Sequence, residues 1–176
     1  HRGISLHAAQ RMRALGHIRA VFLALRTQSA ADERSEKGFI EGFASGGRGT
    51  PEPPQIVYHE PGADAVRRKL EPILAQRDRM PTAFFATKSA TALTILTTMQ
   101  AHGRQFTRDV SLVCREEDPF LADTFPTVTR YVTQPSAIAR KLLQVLRRLL
   151  AGESLPRHHS TVMPVFVPGG SLGPPP

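Results

Sequence analysis

Short apolar runs of strand length recur along this chain, and a segment with apolar residues at helical spacing stands between almost every pair of them. This alternation constrains the fold more than any other feature, because it calls for parallel strands with helices crossing back over both faces of the sheet. The first run, residues 18–25 (IRAVFLAL), is continuously apolar after Arg19, as a strand covered on both faces should be. A helix is predicted over 33–44 with Phe39, Ile40 and Phe43 as its inward stripe, then a loop over 46–54 (GGRGTPEPP) and a strand at 55–59. The helix predicted for 63–76 turns Val66, Leu70, Ile73 and Leu74 inward, although Pro72 is a break signal inside it.

The clearest unit follows. Residues 82–87 read as a buried strand, Ser89 as the N-cap of a helix carrying Leu93, Leu96 and Met99, and Gly103 as its end. Strands are predicted at 110–114, 127–132 and 162–167, with a helix opened by Pro135 and ended by Gly152 between the last two. Before Gly16, Leu6, Ala9, Met12 and Leu15 already give the body of a helix, which suggests a piece of a longer protein. The final GGSLGPPP is rich enough in Gly and Pro to predict a flexible tail over 167–176.

Composition narrows the class. At 176 residues and 40% apolar content the chain fits one sizeable domain or two small lobes. It has no apolar run near the roughly 20 residues that cross a bilayer, and no signal-peptide core, so no membrane partner and a cytoplasmic location are expected. The lone Cys114 excludes an internal disulfide and reads as a buried structural thiol. A formal charge of +8 invites a nucleic-acid reading, but the densest basic groups (Arg67, Arg68, Lys69 and Arg140, Lys141, Arg147, Arg148) fall in helical patterns, where a solvated face is the default. His17, after Gly16, reads as a structural turn residue whose ring bonds to backbone.

One stretch carries candidate chemistry. In RDVSLVCREEDPF, residues 108–120, a strand ending at Cys114 passes into Glu116, Glu117 and Asp118. Ligands in parallel sheets bind beyond the carboxyl ends of the strands, so these acids are either a solvated loop or a binding group, with Asp118 also placed to cap a turn before Pro119. An enzyme using Glu116 or Glu117 as base has only these acids behind it, since no GxGxxG after a strand, GxSxG or phosphate loop occurs. His158 and His159 lack further ligands at usable spacing, so no metal and no cofactor are expected.

The stretches RALGHIRAVFLAL, ERSEKGFIEGF, PTAFFATKSATALTILTTMQAHGRQFTRDVSLVCREED and FPTVTRYVTQPSAIARKLLQVLRRLLAGES, in this order and spacing, resemble the LacI/GalR transcription regulators. The resemblance runs from residue 13 to residue 154. It implies the effector-binding core of such a regulator, an α/β fold of the type I periplasmic-binding-protein kind with a parallel sheet, helices on both faces and an incomplete second lobe. Residues 1–131 would be the C-terminal subdomain, 132–166 a returning segment of the N-terminal one and 167–176 the tail. The helix-turn-helix, the hinge and the first half of the N-terminal subdomain would be lacking.

The resemblance also implies an effector site. The family's acid after this strand, which accepts hydrogen bonds from ligand hydroxyls, falls on Glu116, and its Asn-Asp pair falls on Lys88 and Ser89. Its helical Arg falls on Ser35, with Arg34 one step, about 100°, around the helix. Arg130 and Tyr131 lie in a strand between lobes, facing the cleft or packing. Lys88 and Glu116 would either favour a ligand carrying a carboxylate or phosphate, or pair with each other and leave room for a neutral sugar. The implied partners are a small-molecule effector of carbohydrate type, a second copy in a homodimer, and operator DNA through the lacking domain. A transport-associated sugar-binding protein would share the fold. The helix IARKLLQVLRRLLAG, placed in the N-terminal subdomain, is expected to cover a sheet with Ile138, Leu142, Val145, Leu146 and Leu149, with partner contact as a second role.

Overall fold

The computed structural model describes residues 1–26, 29–76, 79–153 and 162–176. The elements run α1 (Arg2–Leu15), β1 (Ala20–Leu25), α2 (Ala30–Ala44), β2 (Gln55–His59), α3 (Ala63–Leu74), β3 (Ala83–Ala86), α4 (Ser89–Ala101), β4 (Ser111–Cys114), β5 (Thr129–Val132), α5 (Pro135–Leu150) and β6 (Val165–Val167), with a 3-10 turn at Pro119–Ala122. They form a six-stranded sheet in the order β2-β1-β3-β4-β5-β6. The first five strands are parallel and β6 is antiparallel to β5, so the sheet is mixed at one edge rather than parallel throughout.

Alternate residues of each strand serve opposite faces, which is why the strands read as unbroken apolar runs. Ala20, Phe22, Ala24, Ala83, Phe85 and Val113 pack with Ala8, Ala9 and Met12 of α1 and Phe39 and Phe43 of α2. Val21, Leu23, Phe84, Ala86, Leu112 and Cys114 pack with Val66, Leu70 and Ile73 of α3 and Ile95, Leu96 and Met99 of α4. The Cys114 thiol is fully buried and its pKa is pushed up to about 12 by that burial, as an inert structural thiol requires.

Local chemistry sets the helix ends. Ser29 and Asp32 form a capping box, which starts α2 at Ala30, ahead of the expected 33. Ile40 is exposed rather than inward, because α2 meets α1 through Gly38 and Gly42 instead. A Cβ at Gly42 would lie 2.4 Å from the Leu6 carbonyl oxygen, so the two backbones meet at a distance that only glycine allows. The helix α3 runs through Pro72 and ends two residues later. In α4, Lys88 and not Ser89 holds the N-cap position, and it caps with no side-chain bond.

Two expectations fail. No residue of α5 is buried, so its apolar stripe does not cover this sheet; Leu142, Leu146 and Leu149 are all more than half exposed. The last residues are not a loose tail either. Ser171 is fully buried, its hydroxyl donating to the Leu112 carbonyl at 2.7 Å and accepting from the Thr129 amide at 2.8 Å. Glycine here permits close approach rather than freedom, for a Cβ at Gly169 would lie 2.4 Å from the Thr127 carbonyl oxygen.

His17 locks this amino-end closure. It is fully buried, with Nε2 2.8 Å from the Gly173 carbonyl oxygen and Nδ1 2.8 Å from Thr82 Oγ1. The carbonyl requires a proton on Nε2, and in the neutral ring Nδ1 accepts from the Thr82 hydroxyl. Burial lowers its pKa, partly opposed by the bond to Gly173. A lowered folded pKa gives stability that is present above the unfolded value, about 6.5, and is lost as pH falls through the folded value. Urea unfolding across this range should therefore show falling stability towards acid, with a shallower slope in H17F; an unchanged slope in H17F would remove His17 as the cause.

Candidate functional site

The parallel strands deliver their carboxyl ends to one edge, and the chain crosses from one side of β1 to the other between β2 and β3, the arrangement that opens a crevice in such sheets. At that edge β4 runs into four consecutive charged residues, Arg115 to Asp118. Cys114 faces α4, so Arg115 turns to the opposite face and reaches α2. Its Nη1 donates to Ser35 Oγ at 2.8 Å and stands 2.8 Å from Asp32 Oδ1, with the side chains of Arg115 and Asp32 only 4% and 6% exposed.

The Asp32 carboxylate is held from its other side as well. Oδ2 accepts from the Ser29 amide at 3.2 Å and the Ser29 hydroxyl at 2.9 Å. Burial alone would raise its pKa; the Ser29 bonds and the Arg115 charge outweigh it and hold the carboxyl below the usual carboxylate range. From Arg115 the charges continue outward: Nη2 lies 3.8 Å from Glu116 Oε1, and that oxygen accepts from Lys88 Nζ at 2.6 Å. Asp32, Arg115, Glu116 and Lys88 thus form an alternating series from the buried start of α2 to the half-exposed end of β3.

Two cavities flank Glu116. One of 310 Å³ is lined by Ile4, Arg115, Glu116, Glu117, Tyr131 and Thr133, together with His1 and Pro164. The other, of 550 Å³, has His59, Gly62, Val66, Lys88, Thr91 and Phe120 among its walls, and Glu116 again at its rim. His59 is fixed by its own neighbours, Nδ1 to the Glu60 carbonyl at 2.8 Å and Nε2 to Thr91 Oγ1 at 3.1 Å. Asp118 holds the N-cap position of the turn that follows it, as expected, but its carboxylate makes no cap bond there and instead accepts from Ser89 Oγ of α4 at 3.3 Å.

The structure brings Glu116 and Lys88 together in the paired arrangement, one of the two left open by the sequence. Ser35 is fully buried and serves Arg115, while Arg34 is exposed one step around α2. Arg130 is drawn away from both cavities; it is 9% exposed and donates to the Val128 carbonyl at 3.3 Å. Its neighbour Tyr131 faces the other way, lining the smaller cavity with its hydroxyl 2.6 Å from His7 Nδ1. His158 and His159 lie outside the described residues. Arg115 is the residue that sequence reasoning passed over. Its signal was parity: if alternation continues one step past a buried strand, Arg115 must face α2, whose first turn holds Asp32.

Residues 9–172 match the family model of the periplasmic binding protein-like domain. The chain belongs to that family. Its fold is similar to that of a LacI family transcriptional regulator from Bifidobacterium animalis subsp. lactis, with a TM-score of 0.84 at 15% identity over 99% of this chain and 62% of that one. A LacI family regulator from Mycobacterium smegmatis gives a TM-score of 0.76 at 21% identity, covering 99% and 64%. A sugar-binding LacI family regulator from Escherichia coli, complexed with phosphate, gives 0.79 at 16%, covering 99% and 62%. The chain therefore spans less than two thirds of these structures' length. No match is found among curated proteins. Among the described residues no helix is long and apolar enough to cross a membrane.

The Lys88–Glu116 pair is 39% and 34% exposed, so solvent screens it and it carries little of the fold. K88M is expected to lower unfolding stability by no more than about 1 kcal/mol in a denaturant titration. A loss of several kcal/mol would show instead that the pair holds the edge together.

Proposed function

We infer that this chain is the effector-sensing part of a LacI-type DNA-binding transcription regulator, acting in the cytoplasm. A small molecule, a sugar or sugar derivative, rests on the carboxyl edge of the sheet with Glu116 accepting hydrogen bonds from its hydroxyls. The observation that carries this reading is the placement of Glu116: a half-exposed carboxylate at a strand's carboxyl end, on the rim of both cavities, backed by two cations. A charged acceptor in a semi-enclosed crevice forms strong, directional bonds to hydroxyl donors. Lys88, paired to Glu116, stands in reach of the same ligand, and Ser35 acts behind them through Arg115.

The regulatory consequence follows from differential binding. A ligand held between lobes favours one lobe arrangement, and a homodimer passes that preference to helix-turn-helix domains on operator DNA. The TM-scores to LacI family regulators and the family match support this reading at the level of the fold.

Calorimetric titration with neutral hexoses and pentoses, in the wild-type chain and in E116A, tests it. Loss of bonds to a charged acceptor should weaken a binding sugar by roughly tenfold or more, with the far-UV circular dichroism unchanged. Equal affinity in the two proteins would refute the role of Glu116.

A further inference from the structure

The charges at the carboxyl edge are matched. Arg115 and Lys88 alternate with Asp32 and Glu116, Glu117 lines the smaller cavity beside them, and the Arg115–Asp32 pair is almost completely buried. His1 also lines the smaller cavity. An anion entering this cavity meets no net positive charge to offset its desolvation.

Arg115 nevertheless keeps capacity to donate. Nη1 is used by Ser35 and Asp32, and Nε is buried without a partner. Nη2 is 3.8 Å from Glu116 Oε1, beyond a hydrogen bond, and the residue lines the 310 Å³ cavity. The N–H groups of Nη2 therefore stand beside the acceptor oxygens of Glu116, so that donor and acceptor adjoin. A vicinal diol, whose hydroxyls both donate and accept, matches that arrangement, whereas a carboxylate or phosphate can only accept.

We propose that Arg115 determines specificity at this site: its unused N–H groups meet an uncharged ligand oxygen, and Asp32 cancels the charge that would otherwise draw an anion. This rests on the reading of the edge as an effector site and adds its selectivity.

Inorganic phosphate at constant ionic strength is the probe, read by amide shifts at Ser35, Arg115 and Glu116 and by the thermal midpoint. The wild-type chain is expected to show no saturable response. D32N uncovers the Arg115 charge and should bind phosphate at least about tenfold more tightly, with a raised midpoint, and D32N/R115M should lose that gain. E116Q, altered at a half-exposed position, frees Lys88 and should gain phosphate binding even if D32N does not fold. Wild-type binding as tight as the variants', no gain in a folded D32N, or no gain in E116Q, overturns the proposal. Methyl glucoside and glucose 6-phosphate form a second arm: preference for the neutral sugar, lost in R115M, supports it, and preference for the phosphorylated sugar overturns it. If neither sugar binds, the carbohydrate reading fails, while the phosphate comparison still decides the role of Arg115.

Discussion

The buried ion pair between Arg115 and Asp32 is the interaction on which the carboxyl edge depends. Two charges with almost no exposure are held together here by their direct contact, with Ser35 accepting from Arg115 Nη1 and Ser29 donating to Asp32 Oδ2, while Arg115 Nε and Nη2 stay without a hydrogen bond among the described residues. The pair joins the first turn of α2 to the end of β4, passing over the end of β3, which lies between β1 and β4 in the sheet. By fixing Arg115 it fixes the chain direction at Glu116, and so the position of the one carboxylate that both cavities share. Removing either partner would leave an uncompensated charge behind β4.

The sheet gives its two ends different tasks. At the amino end, His17 bonds to Thr82, Ser111 and Gly173, Ser111 bonds to Gly173, and Ser171 bonds to Leu112 and Thr129, so that residues 171–173 seal the strands there. Satisfied groups with no exposure have nothing to offer a ligand. At the carboxyl end the same strands leave charged side chains half exposed between cavities. Parallel topology causes this division, because it puts all strand exits of β1 to β5 on one side, and helices on both faces keep the edge from being covered by the sheet's own packing.

Much of the fold was legible because its signals are local and periodic. The runs at β1 and β3 are apolar on both parities, and the spacing of Val66, Leu70 and Ile73 marks a single face of α3. What escaped depends on partners distant in sequence. Ile40 fits the inward stripe of α2 by spacing, yet Gly38 and Gly42 bring α1 so close that the contact face shifts around the helix. GGSLGPPP has the composition of a loose tail, but Ser171 reaches both β4 and β5, which no local pattern reveals. The amphipathic stripe of α5 signals burial, and nothing in the described residues buries it.

Legibility of the site was of the same kind. Glu116 and Lys88 each stand two residues beyond a strand end, so strand prediction alone brings them to one edge. Their pairing was not readable, since it depends on rotamers at positions 28 residues apart. Arg115 and Asp32 are separated further in sequence, and Asp32 reads locally as part of a loop until the Ser29 capping box is recognised.

A double-mutant cycle on Arg115 and Asp32 measures the central interaction directly. Unfolding free energies of the wild type, D32A, R115M and D32A/R115M are compared by urea titration under one set of conditions. Each single change is predicted to cost about 3–5 kcal/mol, because it strands a buried charge or empties its pocket, and the double change should cost about 1–3 kcal/mol less than their sum. Strictly additive losses would contradict the account, for Arg115 would then owe its place to packing alone and Asp32 would have no hold on the carboxyl edge.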